Sequence, residues 1–203
     1  MDVVEFFLRS HALTHGLDVG GSEGQFSLEY GRLRDLSDAQ LRMRPNGWNS
    51  LAWLLWHIAR MEDVAINVVV ADRSQVLDAG GWGPRLNVAR RDVGTGMTDE
   101  EVETLSATID LSSLRAYRQA VGLATRDVAR GLAPDAWDRI VGPEDLARAA
   151  AQGALGPNAG WIAEGWQGKS TAWFFYWVAV GHSTMHLSQA GWVKEMILQR
   201  RGR

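Results

Sequence analysis

Two histidines lie four residues apart in an apolar stretch near the carboxyl end, and no other feature constrains this chain as much. The stretch at residues 177–189 reads WVAVGHSTMHLSQ and contains His182 and His186. In an α-helix, residues i and i+4 lie one above the other on the same face. Two imidazoles so placed can close on one metal ion, and imidazole is the commonest protein ligand for transition metals. The stretch therefore predicts a helix that carries half of a metal site.

A third histidine, His57, lies in the strongest helical pattern of the first half of the chain. This helix is predicted to begin at a cap, Asn49 or Ser50, and to end near Ala71. Spacings of three and four residues define its inner stripe, which consists of Trp53, Leu54, His57, Met61 and Val64. Three neutral imidazoles with an open position are the composition of a catalytic-type metal site. We therefore predict one divalent metal held by His57, His182 and His186. Zinc or nickel is the first expectation, and iron and manganese are the alternatives.

The histidines of this chain also allow two other interpretations. The pair is not the metalloprotease motif, because Ser183 stands where His-Glu-x-x-His has its glutamate. His11 and His15 are also four residues apart, so they could form a competing site or supply a fourth ligand. Polar and glycine-rich sequence surrounds them, however, and the favoured interpretation is a solvent-facing pair near a helix end.

Several further side chains are candidates for supporting roles around the metal. Metal-bound histidines need acceptors that fix their tautomers, and the candidates by proximity in sequence are Glu62, Asp63, Ser183 and Gln189. Four tryptophans could line a pocket over the metal, although burial in the core is the favoured role for Trp53, Trp56, Trp173 and Trp177. Arg60 could meet an anionic substrate, but a surface position is the default for arginine.

The periodicity of the whole chain predicts an all-α fold. Helices are expected at residues 2–17, 49–71, 110–131 and 170–199, and a further helical segment at residues 25–36. Capping boxes at residues 37–40 and 98–101 and a helix start at residues 143–146 predict shorter pieces. The glycine-rich stretch at residues 72–96 is expected to be a long loop. Four main helices, two of which carry the histidines, describe a four-helix bundle with long crossover connections.

Composition limits the remaining possibilities. The length of 203 residues fits a single domain over residues 1–203, and a net charge of −3 indicates no broad basic surface for nucleic acid. Cysteine is absent, and the acidic start does not look like a signal peptide. The longest apolar run, residues 172–180, is far shorter than the roughly 20 residues that span a bilayer. We expect a cytoplasmic protein that acts on a small molecule and binds neither nucleic acid nor membrane.

Two long stretches of the sequence resemble the DinB/YfiT-like superfamily. They are NSLAWLLWHIARMED at residues 49–63 and HSTMHLSQA at residues 182–190. The segments DVGTGMT at residues 92–98 and WQGK at residues 166–169 also look like its large actinobacterial-type branch. The resemblance covers about residues 36–197. It implies a four-helix bundle, often a homodimer, with a divalent metal on His57, His182 and His186. Some members are metal-dependent transferases or isomerases that use a thiol such as mycothiol or bacillithiol.

Three functional hypotheses follow. The first is a metal-dependent transferase or isomerase, in which the sulfur must arrive with a cosubstrate because the chain has no cysteine. The second is metal-assisted hydrolysis, since a divalent ion can lower the pKa of bound water toward neutrality. The third is a non-catalytic metal-binding protein of the stress response.

Overall fold

In the computed structural model, which describes residues 2–21 and 26–199, helices account for all the regular structure. They are α1 (Val3–Ala12), α2 (Leu17–Gly20), α3 (Leu28–Leu33), α4 (Asp38–Arg42), α5 (Leu51–Glu62), α6 (Val76–Ala79), α7 (Trp82–Leu86), α8 (Asp99–Thr108), α9 (Leu111–Gly131), α10 (Pro143–Ala151), α11 (Gly160–Trp166), α12 (Thr171–Trp173) and α13 (Ser183–Gln199). Short 3₁₀ turns occur at Pro45–Gly47 and Pro134–Asp138. No strand occurs in these two ranges, which confirms the all-α prediction.

Two of the long helices contain π-helical segments and are longer than their α-helical parts. Asp63–Val70 extends α5, so that residues 51–70 are continuous helix, and Phe174–His182 joins α12 to α13, so that residues 171–199 are continuous. The first helix was predicted at residues 49–71, and its observed ends differ by at most two residues. The second was predicted at residues 170–199, and its observed ends differ by at most one residue. The π form widens the helix locally and is frequent at functional sites.

Local capping explains where these helices begin. The Ser50 hydroxyl accepts a hydrogen bond from the Trp53 backbone N–H at 3.0 Å, and Ser170 does the same for Trp173 at 3.2 Å. Such caps satisfy backbone donors that the first helical turn leaves without partners. Asp110 caps α9 in the same way.

The bundle consists of α1, residues 51–70, α9 and residues 171–199. Residues 51–70 pack against α9 and against residues 171–199, while α1 packs on α9 and on Phe174–His182. Two apolar clusters meet along residues 51–70, because Ala59 belongs to one and Met61 to the other. His57 therefore lies near the middle of the bundle.

Several predicted elements differ from the structure. The first helix ends at Ala12 instead of residue 17, because the chain turns before α2. The predicted helix at residues 25–36 is only Leu28–Leu33, and residues 22–25 lie outside the described ranges. The predicted loop at residues 72–96 contains α6 and α7. Within the described ranges, no helix is long and apolar enough to cross a membrane. The extent of the domain, 1–203, stays a prediction.

Candidate metal centre

The structure brings His57 together with His182 and His186. One ligand atom from each imidazole lies within 4.8 Å of the others, and the ring centroids are 4.5–5.1 Å apart. His57 comes from α5, His182 ends the π-helical segment, and His186 follows one turn later in α13. The three rings thus form a group that could hold one metal ion.

Hydrogen bonds fix the tautomers of two of these rings. His57 Nδ1 donates to the carbonyl oxygen of Val93 at 2.5 Å, and His186 Nδ1 donates to Gln189 Oε1 at 3.0 Å. A ring that donates through Nδ1 keeps an unprotonated Nε2, whose lone pair is the one that binds a metal. His182 Nδ1 is buried and has no hydrogen-bond partner in the described part of the chain.

Burial keeps all three imidazoles neutral at neutral pH. Burial, followed by the neighbouring His186, lowers the pKa of His57 to about 3. Burial and His57 lower the pKa of His182 to about 2. Burial also lowers the pKa of His186, although its hydrogen bond with Gln189 opposes the shift. Neutral imidazoles need lose no proton before they bind a cation.

A cavity of about 560 Å³ opens beside the three histidines. Its wall is largely aromatic and apolar, with the tryptophans Trp53, Trp161, Trp166, Trp173 and Trp177 and the methionines Met61, Met97 and Met185. The Trp53 ring stacks on His57 with centroids 4.7 Å apart and an angle of 13° between planes. The histidines therefore face a space large enough for a small organic ligand.

The loop that carries Val93 closes another side of this cavity. Gly94 and Gly96 both have left-handed backbone angles, with φ of 79° and 81°. A Cβ on Gly94 would lie only 2.4 Å from the ring of Trp56, so no larger residue fits there. Asp92 Oδ1 accepts a hydrogen bond from the Gly94 N–H at 2.7 Å. This packing places the Val93 carbonyl against His57.

The structure sorts the predicted supporting residues. Gln189 contacts a proposed ligand, whereas Glu62 and Asp63 belong to other buried networks. The Ser183 hydroxyl is buried without a partner in the described ranges. Trp53, Trp173 and Trp177 line the cavity, and the fully buried Trp56 lies behind the loop. No sequence pattern predicts the role of the Val93 carbonyl, because every residue carries such an acceptor.

The default surface position for Arg60 is wrong. Its side chain is fully buried and donates to Asp63 at 3.0 Å, to Tyr117 at 2.8 Å and to the carbonyl of Arg91. Because Arg91 lies two residues before Val93, this hydrogen bond holds the loop that carries Val93 in place. A guanidinium this deeply buried needs such acceptors to offset the cost of leaving water.

The prediction that His11 and His15 face solvent is also wrong. Both side chains are fully buried, and their Nε2 atoms contact the two oxygens of Glu62 at 2.8 and 2.9 Å. Arg118 Nη1 donates to the same carboxylate at 2.6 Å. Sequence reasoning missed this because Glu62 is far away along the chain. His11, His15 and Glu62 form a second group whose ligand atoms could hold a metal.

The second group is a buried network in which one carboxylate contacts two imidazoles and a guanidinium. Burial opposes ionisation of Glu62, but His15 and the Arg118 guanidinium hold its pKa well below the usual range. Burial, followed by Arg118, lowers the pKa of His15 to about 3. The Nδ1 atoms of His11 and His15 have no acceptor within the described ranges, unlike the rings of His57 and His186. A cation here would also lie beside a guanidinium, so the first group is the better candidate for a metal site.

A helical bundle with three converging histidines next to a cavity defines the class of the molecule. The chain belongs to the DinB superfamily, whose family model matches residues 30–190. Its fold is similar to that of a conserved protein of a locus from Enterococcus faecalis, with a TM-score of 0.68 and 14% identity over 98% of this chain and 99% of that one. No curated protein matches this chain.

Proposed function

We propose that this chain is a divalent-metal-dependent transferase or isomerase that acts on a small molecule with a low-molecular-weight thiol, such as mycothiol, as cosubstrate. One observation carries the proposal: three neutral imidazoles converge at the wall of a 560 Å³ cavity. A storage site would have no need of such a space. Zinc or nickel suits this donor set, with iron and manganese as alternatives.

The residues around the cavity have separable roles in this proposal. A divalent ion on three imidazoles would polarise an oxygen or bind a sulfur as thiolate. Val93 and Gln189 hold two imidazoles in the tautomer that exposes Nε2. Trp53 supports the plane of His57, and the surrounding tryptophans exclude water from the reacting groups.

Elemental analysis of three purified proteins tests the metal. His182→Gln removes one proposed ligand, and His15→Gln is the matched control in the second group, since glutamine can still donate to Glu62. We expect the wild type and His15→Gln to hold equal metal and His182→Gln to lose it. Equal metal in all three would overturn the proposed site, and loss only in His15→Gln would assign the metal to the second group.

The reaction is tested separately, with the metal-loaded protein, a panel of electrophiles and a panel of thiols. We expect turnover that requires both the thiol and the metal. Turnover that is independent of thiol would favour the metal-dependent hydrolase instead. A metal-loaded protein inactive toward the whole panel would favour the non-catalytic alternative.

A homodimer in the cytoplasm is part of the same proposal. Trp192 supports it, because this large side chain is 72% exposed on α13 and a second copy could cover it. Light scattering after size exclusion should give twice the chain mass for the wild type. Trp192→Glu should shift the mass to that of one chain, and a monomeric wild type would refute the dimer.

A further inference from the structure

The wall of the cavity contains no ionic side chain in the described part of the molecule. Apart from the three histidines, its polar side chains are Asn49 and Thr95, and all other lining residues are apolar, aromatic or glycine. Lys169 Nζ lies over the ring of Trp173, 5.7 Å from its centroid, and is not part of the wall. A carboxylate or phosphate on a bound molecule would thus find no counter-charge in the wall.

This wall discriminates between ligands through desolvation. An anionic group that leaves water without a partner pays a large free-energy cost. An apolar or aromatic body gains roughly 25 cal/mol for each Å² that it buries. Rings such as Trp161 and Trp166 on α11 also offer faces for stacking.

The histidines impose the opposite requirement at the other end of the ligand. A divalent ion held by three neutral imidazoles keeps its whole double positive charge, because no carboxylate belongs to the group. In a cavity of low polarity, such a centre favours one anionic donor atom.

We propose that the cavity accepts a ligand with an uncharged, mainly apolar body that reaches the three histidines through one anionic donor atom. The inference rests on the proposed metal site and narrows the substrate class of that site. Thiols with an otherwise uncharged body satisfy it, because the thiolate supplies the one anionic donor atom. Molecules of the same size that carry carboxylates or phosphates along the body do not.

Binding to the Co²⁺-loaded protein tests this with a matched pair of thiols. Methyl 4-mercaptobenzoate has an uncharged body, and 4-mercaptobenzoate differs by one carboxylate. Visible absorption reports Co²⁺ in the site, and a near-ultraviolet sulfur-to-cobalt band reports thiolate binding. We expect the ester to bind at least about tenfold more tightly than the acid, because the acid must bury its charge.

Two arginine substitutions test whether the missing counter-charge causes the preference for the ester over the acid. Met185→Arg places a cation at a half-exposed position of the wall, and Ser188→Arg adds the same charge on an exposed position of α13 outside it. We expect Met185→Arg to bring the two affinities within about threefold of each other through a local counter-charge. The preference of Ser188→Arg should equal that of the wild type.

A third pair tests the apolar wall itself. Trp161 is 64% exposed at the cavity, and Trp48 is 47% exposed outside it. Trp161→Ala should weaken the ester by about tenfold through lost aromatic contact, and Trp48→Ala should bind it as the wild type does.

The outcomes separate this inference from the metal site on which it rests. Failure of Co²⁺ to bind, or binding that survives His182→Gln, would overturn the proposed site and this inference with it. Co²⁺ binding with equal affinities for acid and ester would leave the metal site intact and overturn the inference alone. Tighter binding of the acid to the wild type would do the same.

Discussion

Gln189 is not a proposed metal ligand, but we expect it to raise the metal affinity of the site through its hydrogen bond with His186. Gln189 Oε1 accepts a hydrogen bond from the Nδ1–H of His186 at 3.0 Å, which leaves the lone pair of Nε2 free for a metal. Gln189→Leu keeps the size of the side chain but removes this acceptor. Because the position is only half-buried on the surface of α13, we expect little effect on folding.

The size of the effect follows from the kind of bond that is lost. A hydrogen bond between neutral groups contributes about 0.5–1.5 kcal/mol net, and its loss around metal-bound histidines weakens metal binding by about 10–100-fold. Water can reach this half-buried position and replace part of the interaction, so we expect about tenfold, or 1.4 kcal/mol. Gln189→Glu should bind at least as tightly as the wild type, because a carboxylate accepts more strongly from the imidazole.

Competition with a chromophoric zinc chelator measures these affinities directly. Ser188→Ala, on the adjacent exposed position of the same helix, is the matched control and should match the wild type. If Gln189→Leu bound zinc within about twofold of the wild type, the assigned role of this hydrogen bond would be refuted. A loss of affinity in Gln189→Glu as large as in Gln189→Leu would also contradict the reasoning.

Three further predictions concern the second group, His11, His15 and Glu62, and the loop beside the proposed metal site. Arg118→Met should destabilise the fold by about 3–5 kcal/mol in urea unfolding, because it leaves the buried Glu62 carboxylate without its cation. The pKa of His15 falls from 6.5 to about 3 on folding, so the neutral ring contributes stability above pH 6.5 that is lost progressively as the pH falls to about 3. The free energy of unfolding, measured in urea at a series of pH values, should thus change less steeply with pH in His15→Asn than in the wild type. Gly94→Ala should cost about 1–3 kcal/mol in thermal unfolding and weaken metal binding, since its φ is 79° and the new Cβ would meet Trp56.

Each of these three predictions has a control or a result that would contradict it. Arg115→Met removes a half-exposed arginine of the same helix and should cost well under 1 kcal/mol. Equal slopes for His15→Asn and the wild type between pH 6.5 and pH 3 would show that His15 is not held neutral by burial. Gly160→Ala adds a Cβ with no atom within 4 Å, so a cost equal to that of Gly94→Ala would refute the steric argument.

The parts of the fold that local chemistry determines could be predicted from the sequence. Ser50 and Ser170 cap the two histidine-bearing helices, and the apolar spacing behind each cap continues for about twenty residues or more. These signals act within one helix. They therefore placed His57 and the pair His182 and His186 on faces that the structure brings together.

Features that depend on distant partners were not predictable. The acceptor for His57 is a backbone carbonyl at Val93, and its position depends on how a glycine-containing loop packs against Trp56. The burial of Arg60 depends on acceptors from other segments, which include Tyr117 and the Arg91 carbonyl. No local pattern of residue types specifies such contacts.

The two histidine pairs of this chain have the same spacing, yet their surroundings give them different chemistry. His182 and His186 meet a third imidazole, and the acceptor Gln189 engages the far nitrogen of His186, so a lone pair faces the cavity. His11 and His15 instead direct Nε2 at an ionised carboxylate that already pairs with a guanidinium. The three neutral imidazoles of the first arrangement have no cation beside them and could therefore bind one. In the second, the carboxylate already has a buried cationic partner, which favours a role in joining α1 to α5 and α9. The spacing of four residues therefore identifies a candidate pair of ligands. The group that faces the ring nitrogens then decides whether a cation can bind to them.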